Sequence, residues 1–431
     1  MKFWQDFIYF FSLQDATINN VLFGTMILGF TCGLVGVLVV LSKKALIVDA
    51  VSHSVLPGIC IGFMFAGTKN PIYLVSGGML AGGLAVYLVD WISRISRIKK
   101  DASIAITLSV LFSVGVVLLN LIQHSGNSNQ SGLTDFLFGK AATIIASDLY
   151  VFGTIGIVVI ITITVFYQYF KISLFDDGFA KTIGLNEKLT QGLISGLIII
   201  STAVGIQTVG VILMSALIIT PASSALFWTN NFKKAIVLSG IFATVSSLIG
   251  VLISFLYIDM PTGPWIIVTL SIFALFSAFF SKKGLMTKKI KRFKNKRKML
   301  SDNLLKALYT IDEKENKLKK ERTLSEINME NLVPERHLNR GLKILKTKKY
   351  IIKKGNLWAL TDHGLNKAQK IIRAHNLWEL YMENFMEIQP DHVHDSAESI
   401  EHILPPELEA KLIKKIKSKV DALEDLNKPK D

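Results

Sequence analysis

Apolar residues run with few interruptions through the first two thirds of this chain, then give way to ordinary soluble patterning. A bilayer crossing takes about 20 residues. Stretches of that order fall near 18–41, 46–66, 71–92, 102–122, 148–170, 189–206, 208–228, 235–257 and 263–281. The sixth is short, so the pattern predicts an all-α polytopic membrane domain of eight or nine transmembrane helices over residues 1–281. Residues 3–13, Phe-Trp-Gln-Asp-Phe-Ile-Tyr-Phe-Phe-Ser-Leu, read as an aromatic interfacial helix ahead of the first span.

Charge orients the spans. Lys43-Lys44, the cluster Arg94, Arg97, Lys99 and Lys100, then Lys171, Lys181 and Lys188, then Lys233-Lys234, and finally the run 282–298 all follow odd-numbered spans. The alternate loops carry only Lys69 and Lys140. Cytoplasmic loops are the basic ones, which favours nine spans with the N-terminus outside and the C-terminal region in the cytoplasm. A multi-pass protein of the bacterial cytoplasmic membrane is the expected location. Residues 1–280 hold 14 Lys and Arg against 11 Asp and Glu, whereas the remainder holds 34 against 22. A basic soluble part therefore follows the membrane part. The run 282–299 reads as a juxtamembrane linker drawn to anionic lipid headgroups. Cys32 and Cys60 lie in apolar runs and are expected to be buried rather than bridged or metal-bound. The N-terminus shows no basic n-region or small-residue cleavage site.

Asp49 and His53 are the polar residues that a membrane helix does not explain. An ionisable side chain within a span costs roughly 2.5–3.5 kcal/mol and marks function by default. Spaced i, i+4, the two share a helix face and offer a carboxylate and an imidazole to one divalent metal. The bland alternative is a helix-end pair with Asp49 as an N-cap. Glycines at 29, 33 and 36, and at 77, 78, 82 and 83, predict close helix contacts. Residues 175–185, Phe-Asp-Asp-Gly-Phe-Ala-Lys-Thr-Ile-Gly-Leu, suggest a short amphipathic helix that docks an ATPase subunit, with an ordinary loop as the alternative. Pro221, deep in span seven beside Thr220, Ser223 and Ser224, suggests a broken helix near the translocation path.

Three segments carry a resemblance. Asp49-Ala-Val-Ser-His-Ser-Val-Leu-Pro-Gly58, Phe179-Ala-Lys-Thr-Ile-Gly-Leu185 and Gly210…Ala216-Leu…Thr220-Pro-Ala222 resemble permeases of the manganese/zinc/iron ABC importers over roughly residues 15–281. The resemblance implies a homodimeric pore, a separate cytoplasmic ABC ATPase subunit and an extracytoplasmic metal-binding protein that delivers cargo. It implies that Asp49 and His53 contact the metal in the pathway. It also implies that Phe179, Ala180, Lys181, Thr182, Ile183, Gly184 and Leu185 couple to the ATPase. The chain has no Gly-x4-Gly-Lys-Ser/Thr loop, in keeping with hydrolysis on another polypeptide and with a transporter subunit that is not itself an enzyme. No organic cofactor is expected.

Beyond residue 300, Leu304-Leu305, Leu308 and Ile311 predict a helix. Thr323 to Glu326 has the pattern of a capping box. Residues 334–345 predict a third helix with Leu338, Leu342 and Leu345 on one side. Residues 350–361 predict two strands around Gly355-Asn356. Three helices and a hairpin make a winged-helix domain over 300–365. It displays Arg336, Arg340 and Lys343, with Lys353 and Lys354 at the turn, as candidates for DNA contact. Many winged helices bind only protein.

Residues 366–431 carry His375 and Glu379 at i, i+4, and then His394, Glu398, Glu401 and His402 at offsets of one helical face. Six of the eight histidines fall after residue 300. Such an N/O set suits Mn, Fe, Zn or Co, against the alternative of a solvated polar face. Residues 300–412 resemble the iron/manganese-dependent repressors, a winged helix followed by a helical metal-sensing and dimerisation domain. The resemblance implies regulatory metal on Glu398, Glu401 and His402, with His375, Glu379 and His394 forming a neighbouring site. The family's first-helix ligand position is near Asn303 here, with Asp302 beside it.

The sequence thus reads as the permease of an ATP-driven importer for Mn, Zn or Fe. On this reading the repressor-like tail is expected to sense the same ion and regulate transport. The rival readings are a membrane-anchored metal-responsive DNA-binding regulator, a tail that serves only for dimerisation and interaction, and an ATPase-independent metal channel.

Overall fold

The computed structural model describes residues 2–68, 70–124, 139, 141, 144–257, 260–331 and 334–385. The chain divides into two compact units, Met1–Thr287 and Lys288–Asp431. The first opens with α1 (Lys2–Ser12), the aromatic helix expected there, and continues through α2 (Ala16–Leu41), α3 (Ala45–Ala66), α4 (Pro71–Ile95), α5 (Lys100–Gln123) and α6 (Ala146–Val165). Two short helices follow, α7 (Tyr167–Phe175) and α8 (Asp177–Thr182). The long helices resume with α9 (Glu187–Val209), α10 (Val211–Trp228), α11 (Phe232–Leu256) and α12 (Thr262–Phe280). Among the described residues, nine helices are long and apolar enough to cross a membrane: α2 to α6 and α9 to α12.

Side chains fix where these helices start. Asp15 accepts from the amides of Thr17 and Ile18, Asn70 from Ile72, Asn186 from Lys188 and Leu189, and Asn231 from Lys234. Each satisfies amides that the first turn leaves unbonded. The sixth span is full length, because its polar ends at Glu187 and Thr208 are helical too. The stretch 148–170 is not one helix: it turns at Phe166, and the Tyr-rich end forms α7.

The broken helix expected at Pro221 is absent. Helix α10 runs through Pro221 without interruption, with Ser224 Oγ bonded to the Thr220 carbonyl at 2.8 Å. The break falls instead at Gly210, whose φ of +87° and ψ of +163° suit glycine alone. The α10 backbone lies against Gly36 of α2, where an added Cβ would meet the Ile218 carbonyl oxygen at 1.9 Å.

Helix backbones touch at several of these glycines. Gly33 faces Ser239 and Gly240 of α11, and Ser239 Oγ donates to the Gly33 carbonyl at 2.6 Å. Gly58 of α3 and Gly77 of α4 meet so closely that a Cβ on either would lie within 2.3 Å of the other's carbonyl oxygen. Lipid tails are as apolar as leucine, so such van der Waals contact replaces the hydrophobic drive between helices. Gly83 departs from the expectation, with nothing within 4 Å of its added Cβ. Cys32 and Cys60 are buried and unbridged, as expected. Helices α4 to α6 keep broad apolar faces exposed, including Leu80, Leu84, Val110, Val117, Ile157 and Ile161. Lipid is the solvent those faces suit.

Helix α13 (Leu285–Lys314) takes up the basic run from Lys288 onward, with Lys282 and Lys283 in the turn before it. It leads to α14 (Leu324–Asn331), α15 (Glu335–Thr347), the strands β1 (Ile351–Lys354) and β2 (Leu357–Leu360), and α16 (Asp362–Phe385). The expected three helices and hairpin occur in that order. Thr323 and Glu326 exchange the two bonds of a capping box, at 3.3 and 3.4 Å. The strands pair antiparallel, Ile351 opposite Leu360, across a turn that opens on Gly355 at φ +60°. Leu304, Leu308, Ile327, Leu342, Ile351 and Trp358 belong to the core.

Arg322 ties this core together. Its backbone exchanges 2.8 Å bonds with Trp358, and its buried guanidinium bonds Asp312 at 3.1 and 3.2 Å and Glu315 at 2.7 Å. The bonds from Arg322 and Lys320 pull the Glu315 carboxyl down to about 2.

Three outcomes follow from this packing. Gly58→Val drives a side chain into the α4 backbone, so the variant should lose its monodisperse peak in detergent gel filtration while Gly83→Val keeps it. A carboxyl held below its ordinary value adds stability that is complete above that value and is lost as pH falls through the folded one. The melting temperature should therefore fall between about pH 4.5 and pH 2, and Glu315→Gln should flatten that part of the profile. Arg322→Met leaves Asp312 buried without its cation and should cost roughly 3–5 kcal/mol, read as greater protease sensitivity of residues 300–385 in the full chain.

Candidate functional site

Helix α3 starts after a tight reversal from α2 in which Lys43 takes φ +59°. Lys44 occupies the N-cap position and makes no side-chain cap bond. Asp49 lies inside the helix, in its second turn, so the N-cap role considered for it is not taken. Helical spacing then sets His53 one turn along on the same face, with its Nε2 3.8 Å from Asp49 Oδ1. That is too long for a hydrogen bond. It suits two ligands that each reach one cation at about 2.1 Å.

The pair opens to one side. The Asp49 side chain is 43% exposed and that of His53 19%, while Val48, Val51, Ser52 and Val55 are buried. Phe112 of α5 stands edge-on to the His53 ring at 5.0 Å and fixes its plane by packing. His53 Nδ1 is buried with no hydrogen-bond partner among the described residues, where a buried nitrogen ordinarily has one. Below the pair, Pro57 fits against α5 because Gly115 has no side chain: a Cβ there would meet the proline ring at 2.9 Å.

Among the described residues, no group of three or more His, Cys, Asp or Glu gathers as a metal site. One copy of the chain thus offers two ligands at this position. First-row divalent ions take four or more, counting water.

The segment Phe179 to Leu185 forms the end of α8 and its exit. Asp176 caps the helix by accepting from the Phe179 amide at 2.9 Å, and Gly184 ends it at φ +75°. Phe179 and Ile183 are exposed and Ala180 is buried. Thr182 bonds back to the Phe179 carbonyl, Lys181 lies 3.6 Å from Glu187 of α9, and the Leu185 amide returns to the Ala180 carbonyl.

In the second unit, Arg336, Arg340 and Lys343 lie exposed on α15, opposite the buried Leu338, Leu342 and Leu345. At the hairpin, Lys353 sits over the Trp358 ring at 5.3 Å and Lys354 pairs with Glu321 at 2.9 Å. Asp302 is buried and Asn303 half-buried on α13. His375 and Glu379 occupy positions one turn apart on α16. His394, Glu398, Glu401 and His402 lie outside the described residues.

Sequence reasoning missed Phe112, which no periodicity in α5 singles out. It also read Lys44 only as topological charge. The Lys44 ammonium donates to the Gln191 carbonyl and to Ser195 Oγ of α9, both at 3.0 Å. Burial, helped by nearby Lys100 and opposed by Asp90, pushes this amine down to about 8. A lysine directly before a helix that carries a polar pair was the available signal.

Comparison with known proteins places the chain. The ABC 3 transport family matches residues 14–281, and the domain described as iron dependent repressor, metal binding and dimerisation matches residues 361–420. The manganese transport system membrane protein MntC of Bacillus subtilis is 36% identical over 383 residues, covering 87% of this chain and 86% of that protein. This match is longer than the first unit, so it extends into the tail. The zinc transport system membrane protein TroC of Treponema pallidum is 36% identical over 264 residues, 61% of this chain and 89% of its own. Among solved structures, PsaBC from Streptococcus pneumoniae in complex with Fab aligns with a TM-score of 0.59 at 28% identity, covering 65% of this chain and 96% of that one. The chain is therefore a multi-pass membrane protein of the ABC 3 transport family, with an iron-dependent-repressor metal-binding and dimerisation domain at its C-terminal end.

Proposed function

We propose that this chain is the permease subunit of an ATP-driven importer for a divalent transition metal, manganese, zinc or iron. The observation that carries the reading is the Asp49–His53 pair, a carboxylate and an imidazole 3.8 Å apart on one face of a spanning helix. Two copies about a two-fold axis bring two of each, a four-ligand N/O set suited to transient binding of such ions. Cargo released by an extracytoplasmic metal-binding protein meets this set and leaves to the cytoplasm as the two copies alternate in access. Hydrolysis belongs to a separate cytoplasmic ATPase subunit, seated on the exposed Phe179 and Ile183 of α8. The alternation of basic loops supports a cytoplasmic tail in the inner membrane. The exposed Met286, Ile290 and Phe293 of α13, set among lysines and arginines, support a helix that lies on anionic lipid.

The tail supports a second, regulatory reading. Residues 300–365 would form a winged helix. Glu398, Glu401 and His402, with His375, Glu379 and His394 as neighbours, would bind cytoplasmic metal and hold the permease in a low-activity state. The matched repressor domain, joined to a chain whose relatives are named for metal transport, favours this feedback.

Metal uptake into vesicles that contain the whole transporter should fall at least about tenfold with Asp49→Asn or His53→Ala, the lower end of what even outer-shell changes cost a metal site. Uptake within twofold of wild type in both variants would refute the pathway role, and uptake that persists without the ATPase subunit would make the protein a channel. Changing Glu398, Glu401 and His402 together to Ala should abolish inhibition by internal metal while uptake from low internal metal continues. Inhibition that survives the triple change removes the feedback reading.

A further inference from the structure

Lys44 makes a polar contact whose geometry the transport reading does not use. It sits at the cytoplasmic end of α3 in the proposed topology, five residues before Asp49, a distance of about 7.5 Å along a helix axis. Its side chain leaves its own helix and reaches α9. There the ammonium, Ser195 Oγ and the Gln191 carbonyl form a closed set, because Ser195 Oγ also donates to the Gln191 carbonyl at 2.9 Å. Ser195 is buried and Lys44 half-buried. Burying an amine is unfavourable, which its lowered pKa reflects, so hydrophobic packing does not account for its place. The contact borders a cavity of about 800 Å³, also lined by Asp90, Lys100 and Glu187.

Gln191 stands one turn beyond Glu187, and Glu187 pairs with Lys181 of α8 at 3.6 Å. A continuous path therefore runs from α8, through the first two turns of α9, across the Lys44 bonds, to the start of the helix that holds Asp49 and His53. Among the described residues, Lys44 is the side chain whose hydrogen bonds join the α2–α3 turn to α9.

We propose that Lys44 is the strut that couples movement of α8 to the metal pair: a positioning residue that makes Asp49 and His53 respond to the ATPase cycle. The inference rests on α8 being the ATPase contact. Without the strut, α9 moves with α8 while α3 does not follow, and ATP is consumed without delivery of metal.

The test uses the complete transporter, with its ATPase subunit and delivery protein, reconstituted in proteoliposomes. Manganese uptake and ATP hydrolysis are measured together. Lys44→Met keeps most of the length and removes the charge; hydrolysis should continue while ATP consumed per manganese rises about tenfold, a size typical of a broken coupling contact. Lys44→Arg, which retains donors, should bring the ratio back to within about threefold of wild type, a recovery that a loss of fold would not show. Ser195→Ala, which leaves Lys44 in place, should raise the ratio by less. An unchanged ratio in Lys44→Met, or in Ser195→Ala should Lys44→Met not fold, overturns the strut, as does an arginine variant as uncoupled as the methionine one. Phe179→Asp checks the premise separately. It should release the ATPase subunit in a pull-down, and retention with unchanged hydrolysis would overturn the α8 reading and the strut together.

Discussion

The seat of α3 is the constraint on which the site depends. On one side its backbone meets α4 at Gly58 and Gly77, and on another Pro57 rests in the space that Gly115 leaves on α5. Contacts between main chains leave no slack for rotation, because a carbonyl cannot repack as a side chain does. Pro57 follows His53 by one turn on the same stripe, so the Asp49–His53 face runs along the α5 side, away from α4, where it is partly exposed. Phe112 then sets the ring plane of His53. An ionisable pair within an apolar helix is tolerated where it faces a partner or a watery path rather than lipid. The helix packing provides that orientation.

Much of this was legible in the chain itself. Apolar run lengths give eight or nine spans, and the alternation of basic loops favours nine. The Asp and Asn residues ahead of α2, α4, α9 and α11 sit where first-turn amides need acceptors. The face shared by Asp49 and His53 follows from helix periodicity alone. Less legible were effects that depend on neighbours distant in sequence. Pro221 suggests a break only until α10 is seen against Gly36 of α2, and Gly210 breaks the backbone because no side chain forbids it. Lys44 looked like one more inside-positive residue, and nothing in the pattern linked it to Gln191 and Ser195, some 150 residues away. Gly83 resembles Gly77 and Gly82 in sequence, yet a Cβ there would meet nothing within 4 Å. Composition marks a helix face as able to pack, and the partner decides whether it does.

The second unit rests on a different physical basis. The hydrophobic effect operates there, and a compact core surrounds one fully buried arginine. Arg322 is costly to bury and is stable only because Asp312 and Glu315 accept its bonds. A domain of the metal-dependent repressor type thus shares one chain with an ABC 3 permease. In the proposed reading, the membrane unit passes an ion that the tail binds when the ion is abundant. In that reading the two sites would share carboxylate and imidazole ligands, one passing the ion and one holding it.

The central claim is that two copies of the Asp49–His53 pair form one binding place for the transported metal. Anomalous X-ray scattering from crystals of the whole transporter loaded with manganese tests it most directly. The account predicts one anomalous peak on the two-fold axis, within bonding distance of Asp49 and His53 of both copies and lost in His53→Ala. A peak elsewhere in the membrane unit, or one that survives His53→Ala, would contradict it.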